Sequence, residues 1–123
     1  MYFTNSEKQA IYRLLMDMSL IDNDIDSKEV ILTMAIVEKL NIFDYDRDRA
    51  TAITIDNALE TVANMTNTEK DFVCSALGTM IAIDGEVNPK EMLLWGIITE
   101  QCGFPEMNLM EAGAKLQRHL QNI

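Results

Sequence analysis

IDNDIDSKE, at residues 21–29, returns as IDGEVNPKE at residues 83–91, so the two stretches align without a gap at an offset of 62 positions. Identical residues continue on both sides of the turn: Leu15 with Leu77, Met18 with Met80, Leu32 with Leu94, Ile36 with Ile98 and Glu38 with Glu100. Apolar residues around each stretch recur at steps of three and four, which is the helical period. The chain therefore contains an internal repeat, and each copy is predicted to be a helix, an acidic turn and a second helix.

The same helical period runs through most of the chain and predicts an all-α fold. We expect a compact bundle of about six helices, in which the two helix–acidic turn–helix hairpins pack around a common core. Between the copies, residues 50–55 could form a short strand, but a loop leading into a helix near Thr54 or Asp56 is favoured. The final helix is expected over residues 106–121, opened by Pro105. No linker rich in proline, glycine or serine is present, so residues 1–123 are expected to form one domain.

Each position of the repeated turn has a structural explanation. Asn23 and Gly85 tolerate the left-handed backbone conformation that a tight turn needs. An apolar residue two positions later is expected to dip back into the core, and a helix N-cap and a capping glutamate follow it. The residues in these three roles are Ile25 and Val87, then Asp26 and Asn88, then Glu29 and Glu91.

Carboxylates are dense in the same turns, and hard oxygen ligands of this kind suit Ca²⁺, Mg²⁺ and Mn²⁺. The candidate metal ligands are Asp22, Asp24, Glu29, Asp84, Glu86 and Glu91. A true EF-hand is excluded, because Ser27 and Thr33 occupy the loop positions that require glycine and glutamate. Two interpretations stay open: a divalent-cation site, or turns whose carboxylates serve only as helix caps.

The repeated apolar helix, the turn Asp-Gly-x-Val/Ile-x-x-x-Glu and a second helix ending in glycine resemble the TerB-like family, which is named for tellurite-resistance proteins. The match is clearest at residues 82–91 and at Gly103-Phe104, and the first copy departs from it with Asn23 in place of glycine. The resemblance implies an all-helical domain with hairpins related by a pseudo-twofold axis, a bacterial cytoplasmic stress-related role, and metal binding in some members. The positions it would assign to the metal are Asp22, Glu29, Asp84 and Glu91, with Asp24 and Glu86 beside them.

Charge and composition exclude several classes of function. The formal net charge is −10, from 10 basic and 20 acidic residues, and a field of that sign repels nucleic-acid phosphates and anionic lipid surfaces. No apolar run approaches the roughly 20 residues that span a bilayer, and the N-terminus lacks the features of a signal peptide. Cys74 and Cys102 form no metal-binding motif and are expected to be reduced and packed. We expect a soluble cytoplasmic protein with no membrane insertion.

No catalytic motif is present, and the single histidine, His119, lies in a polar stretch where an exposed tail residue is expected. An acyl carrier modified at Ser27 is disfavoured, because Lys28 stands where such carriers have leucine. A carboxylate-based hydrolase is disfavoured too, because turn carboxylates are usually solvated. The leading hypothesis is a non-enzymatic, stress-related binding or scaffolding module that engages a protein partner or a divalent cation. The alternative is a protein–protein interaction domain with purely structural turns. A homodimer is plausible if Trp95 or a Met-rich surface is exposed.

Overall fold

Seven helices and no strand make up the fold in the computed structural model, which describes all residues from 1 to 123. The helices are α1 (Asn5–Leu20), α2 (Ser27–Leu40), α3 (Asp44–Ala50), α4 (Ile55–Ala63), α5 (Asn67–Ala82), α6 (Pro89–Cys102) and α7 (Leu109–Gln121). The all-α prediction is confirmed. None of the seven helices is both long enough and apolar enough to cross a lipid bilayer.

The internal repeat is visible in the helix boundaries. α1 and α5 begin and end 62 positions apart, and so do α2 and α6. Thr4 and Thr66 cap α1 and α5, and each hydroxyl accepts the backbone N–H of a glutamate three residues later at 3.2 Å. α2 and α6 both end at a left-handed residue, Asn41 with φ 55° and Gly103 with φ 68°. The two hairpins therefore share their start and stop signals as well as their apolar pattern.

The helix that the sequence did not reveal is α3. It is seven residues long, which is too short to carry an apolar stripe, and a polar contact holds it in place. Asp46 is 2% exposed and accepts hydrogen bonds from Gln9 Nε2 of α1 at 3.1 Å and from the backbone N–H of Phe43 at 3.3 Å. The expected loop then follows, and Thr54 caps α4 by accepting the N–H of Asn57 at 3.1 Å.

The last helix begins later than the expected residue 106. Asn108 caps α7, because its side-chain oxygen accepts the N–H of Glu111 at 2.9 Å and its own N–H donates to the Glu111 carboxylate at 3.3 Å. Pro105 lies in the connection before that cap, so the prediction that it opens the helix is wrong. A proline allows a helix to start near it but does not fix the first residue. The reciprocal bonds between Asn108 and Glu111 do fix it, because they satisfy the backbone N–H groups of both residues.

The core is one cluster of 26 buried residues, and α5 lies at its centre, packed against α1, α6 and α7. Cys74 and Cys102 are buried and unpaired, which confirms the prediction of packed thiols. Burial raises the pKa of each thiol to about 11, so neither is a reactive thiolate near neutral pH. Trp95 is buried as well, and its indole Nε1 donates to the Cys74 carbonyl at 3.2 Å.

One expectation about the repeated turn is wrong. Ile25 and Val87 do not dip into the core, since they are 57% and 53% exposed. The buried side chains at this end of each hairpin are instead Glu29 and Glu91, at 4% and 5% exposure. Glu29 and Glu91 therefore occupy the interior position that was predicted for the apolar residues Ile25 and Val87.

His119 is not the exposed tail residue that its sequence context predicted. Its Nε2 lies 2.7 Å from the Asp71 carboxylate of α5, and its ring meets Phe72 edge-on with centroids 5.7 Å apart. Lys115, one turn earlier on α7, donates to the other Asp71 oxygen at 3.2 Å. Burial alone would raise the pKa of Asp71, but the hydrogen bonds from His119 and Lys115 outweigh it and hold the pKa below the usual value. This contact anchors the C-terminal half of α7 to α5.

Gly78 allows α6 and α7 to pack closely against α5. A Cβ atom at this position would lie 2.8 Å from Trp95 Cζ2 and 2.9 Å from the Ala112 Cβ of α7. Neither neighbour is the end of a flexible chain, so a side chain at Gly78 would push α6 or α7 away from α5.

We expect Gly78→Ala to lower the free energy of unfolding by about 1–3 kcal/mol through this overpacking. Gly96→Ala is the matched control, because a Cβ at Gly96 of α6 meets nothing within 4 Å. That control should gain stability by up to about 1 kcal/mol from the better helix propensity of alanine. Chemical denaturation of both variants measures the difference, and equal effects of the two substitutions would contradict the packing described for Gly78.

Candidate functional site

The two acidic turns have the same backbone geometry. Asn23 has φ 61° and Gly85 has φ 84°, so the asparagine of the first copy adopts the left-handed conformation without glycine. An aspartate precedes each of them and accepts the N–H two residues later. The distances are 3.0 Å from Asp24 N to Asp22 Oδ1 and 2.9 Å from Glu86 N to Asp84 Oδ1. Each turn is therefore closed by its own aspartate.

The caps that follow differ in one respect. Asp26 accepts the N–H of Lys28 at 2.7 Å, and its own N–H donates to the Glu29 carboxylate at 3.4 Å, which completes a capping box. Asn88 caps α6 through the N–H groups of Lys90 at 2.8 Å and Glu91 at 3.4 Å, without the return bond. The carboxyl of Glu91 is therefore not engaged by its own cap, and the prediction that Glu91 is a capping glutamate is wrong.

Glu29 and Glu91 meet each other. The two side chains are almost fully buried and lie within hydrogen-bonding reach of one another. Each is the copy of the other in the repeat, and contact between equivalent residues is what a twofold axis produces. This contact is therefore the kind that the pseudo-twofold relation implied by the TerB-like resemblance would produce. Because ionised carboxylates only accept hydrogen bonds, one of the two must carry a proton for the bond to form.

Burial and neighbouring charges favour that protonated state. Burial raises the pKa of Glu91 most, followed by the hydrogen bond and charge of Glu29 and the charges of Asp22 and Asp84, to about 8. Burial also raises the pKa of Glu29, although its hydrogen bonds to Glu91 and to the Asp26 backbone act in the opposite direction. The pair therefore holds one proton near neutral pH, where an exposed glutamate would be ionised.

A second contact joins the turns directly. Asn88 Nδ2 of the second copy donates to Asp22 Oδ2 of the first at 3.1 Å. The symmetry-related positions hold Asp26 and Asp84, two carboxylates that cannot form the same bond when both are ionised. Asn88 thus supplies a hydrogen bond to Asp22, whereas the equivalent pair Asp26 and Asp84 contributes only negative charge.

Of the six predicted ligands, the structure brings the two glutamates into contact and places Asp22 and Asp84 close enough to raise the pKa of Glu91. Asp24 and Glu86 are exposed turn residues and lie away from this contact. Asp26, the N-cap of α2, adds its charge to the field at Glu29. No three carboxylates, with or without histidine or cysteine, are arranged so that they could hold a metal ion without moving.

Comparison with known proteins supports the all-α fold and gives no information about activity. No protein-family model matches the chain, and none of the curated proteins matches it. A crystal structure of a protein of unknown function from Porphyromonas gingivalis W83 is similar, with 28% sequence identity and a TM-score of 0.81. The likeness covers 100% of this chain and 99% of that one. The all-α architecture thus recurs over the whole chain, while membership of the TerB-like family stays a prediction.

The shared proton predicts how stability depends on pH. Unfolded Glu91 ionises near 4.5, but the folded protein holds this proton up to about pH 8. Its stabilising contribution is therefore full below about pH 4.5 and is lost as the pH rises towards 8. Glu91→Gln cannot ionise, so we expect it to be about 1–3 kcal/mol more stable than wild type at pH 8, with a smaller difference at pH 5.

Urea unfolding across this pH range measures the difference between the two proteins. Glu38→Gln, which removes an exposed carboxylate from α2, is the control for the loss of one negative charge. Its offset from wild type should hardly change with pH. Parallel curves for Glu91→Gln and wild type would mean that Glu29 and Glu91 share no proton.

Proposed function

We propose that this protein is a small non-enzymatic binding module that takes up a divalent cation between its paired acidic turns. The observation that carries the proposal is the buried Glu29–Glu91 pair, which brings together equivalent positions of the two repeats. A cation would replace the shared proton and bind both carboxylates in their ionised form. Asp22, held beside the pair by Asn88, would supply a third oxygen ligand.

The energetics of the pair support this proposal. Burying two acidic groups costs more than burying apolar side chains of similar volume, so the pair is a poor device for stability alone. Three ionised carboxylates around a divalent ion leave one net negative charge, whereas without the ion they repel each other at close range. Hard carboxylate oxygens are the ligands that Ca²⁺, Mg²⁺ and Mn²⁺ prefer.

Binding requires a local rearrangement, because the carboxylates do not converge on one point. The hydrogen bond between Glu29 and Glu91 must open so that both can face the ion. Asp22 is only half-buried and Asp84 is exposed, so water can reach the site and complete the coordination shell, as it commonly does for Mg²⁺. The resemblance to the TerB-like family supports the same proposal and a stress-related role for the module.

The alternative function is protein–protein interaction with turns that serve only as caps. It is favoured by the hydrogen bonds that Asp22, Asp26, Asp84 and Asn88 already make within the turns. In that case the acid pair is a fixed feature of the fold, and divalent cations leave the protein unchanged.

Calorimetric titration of metal-free protein with Ca²⁺, Mg²⁺ and Mn²⁺ distinguishes the two. We expect at least one of the three ions to bind wild type, and Glu29→Gln and Glu91→Gln to weaken binding by roughly tenfold or more. The Glu38→Gln control should bind as wild type does. Absence of binding for all three ions, or equal binding by all variants, would leave the turns as caps.

Proton release gives a second and more specific measurement. Titrations at about pH 6 in two buffers of different ionisation enthalpy report the protons released on binding. Because the pKa of Glu91 is about 8, close to one proton per cation should leave at pH 6 and almost none above about pH 9. Binding without this pH dependence would place the ion away from the Glu29–Glu91 pair.

A further inference from the structure

An apolar groove runs between α1 and α2 in the first hairpin. It encloses about 190 Å³, less than the roughly 300 Å³ at which sites for small molecules begin. Its size therefore suits one large side chain better than a free ligand. We call it the open groove and define it by Tyr12, Met16, Leu20, Ile25, Val30 and Met34.

The second hairpin fills the same space with its own tryptophan. Trp95 is the repeat counterpart of Thr33, which lies on the groove floor, and Gly78 is the counterpart of Met16. The Trp95 indole donates to the carbonyl of Cys74, and its ring lies directly over Gly78. The space between α5 and α6 is thus closed by an indole from α6.

The first hairpin has no such side chain. Thr33 Oγ1 turns back to its own helix and donates to the Glu29 carbonyl at 2.9 Å. Val30 and Met34 remain 44% and 46% exposed along the groove. α2 packs chiefly on α1, whereas α6 packs on α1, α4 and α5. The first hairpin therefore has Thr33 where the second has Trp95, and the open groove beside Thr33 has room for one large side chain.

The charge around the open groove indicates what kind of partner would supply an aromatic side chain. Asp24 and Asp26 flank the groove at the end where Ile25 lies, and Glu38 lies beside Val30 and Met34 towards the other end. None of these three carboxylates forms an ion pair. The helical rise places Asp26 and Glu38 about 18 Å apart.

The nearby basic residues do not neutralise this rim. Lys28 and Lys39 of α2 lie on a different stripe of the helix from Val30, Met34 and Glu38, by the 3.6-residue period. Lys8 is engaged with the Asn41 carbonyl and with the ring of Phe43. A second copy of this chain would bring a further net charge of −10 against the acidic rim, which opposes self-association.

We propose that the open groove docks an amphipathic helix of a basic partner protein, which inserts one aromatic side chain where the second hairpin uses Trp95. Lysine or arginine residues about three helical turns apart on the partner would face Asp26 and Glu38. Met16 and Met34 are flexible enough to adapt to the inserted ring. The residues that line the open groove do not include Glu29, Glu91 or Asp22, which form the proposed cation site.

The probe is a fluorescein-labelled helical peptide of about 16 residues, with one tryptophan on its apolar face and lysines on both flanks. Fluorescence anisotropy should show binding in the micromolar range that weakens as salt is added. Replacing the tryptophan with alanine should weaken binding by roughly tenfold. Replacing the lysines with glutamates should abolish it.

Protein variants locate the site. Met34→Lys places a charge in the groove, and Leu93→Lys makes the same charge change on the exposed face of α6. We expect the first to weaken peptide binding by roughly tenfold or more and the second to leave it close to wild type. Thr33→Trp should also block binding, by filling the groove as Trp95 fills its counterpart, with an unchanged helical circular dichroism spectrum as the folding control.

Three outcomes would overturn the proposal. The lysine–tryptophan peptide does not bind, or it binds wild type and Met34→Lys equally well. Alternatively, sedimentation of wild type shows a dimer that Met34→Lys dissociates, in which case the occupant is a second copy. Cation titrations of the same variants report separately on the Glu29–Glu91 site.

Discussion

The contact between Glu29 and Glu91 follows from two requirements that meet at one place. Each helix after an acidic turn has glutamate at its third position, where a carboxylate suits the helix N-terminus. A pseudo-twofold arrangement makes any residue on the axis face its own copy. Glutamate therefore faces glutamate in a buried position, and the pair can persist there only by sharing a proton or an equivalent positive charge. The raised pKa of Glu91, to about 8, is the direct result.

Divergence between the copies determines where this molecule departs from symmetry. Asn88 replaces the aspartate of the first copy, frees Glu91 from the capping box and donates to Asp22 across the axis. Gly78 and Trp95 close the second hairpin, whereas the first keeps its groove. α6 is thus packed against α1, α4 and α5, whereas α2 packs chiefly on α1 and presents its outer surface to solvent.

The sequence predicted what depends on neighbours along the chain. The caps at Asp26 and Asn88, and the left-handed conformations of Asn23 and Gly85, follow from residue type and local spacing. The features it missed depend on contacts between distant residues. α3 is held by the hydrogen bond from Gln9 to Asp46, 37 positions away, and His119 is held against α5 by its contact with Asp71, 48 positions away. Likewise, residue type and spacing pick out the six candidate ligands, but only the fold shows that Glu29 and Glu91 are buried against each other.

Both proposals concern α2, yet they use different sides of it. Glu29 and Met34 are five residues apart, which places their side chains about 140° apart around the helix axis. The carboxylate faces the pseudo-twofold axis and α6, while the methionine borders the groove beside α1. A substitution at Met34 therefore leaves the acid pair intact, and a substitution at Glu91, on the far side of the axis, leaves the groove intact. Because the two surfaces share no side chain, loss of one activity with retention of the other assigns each to its own residues.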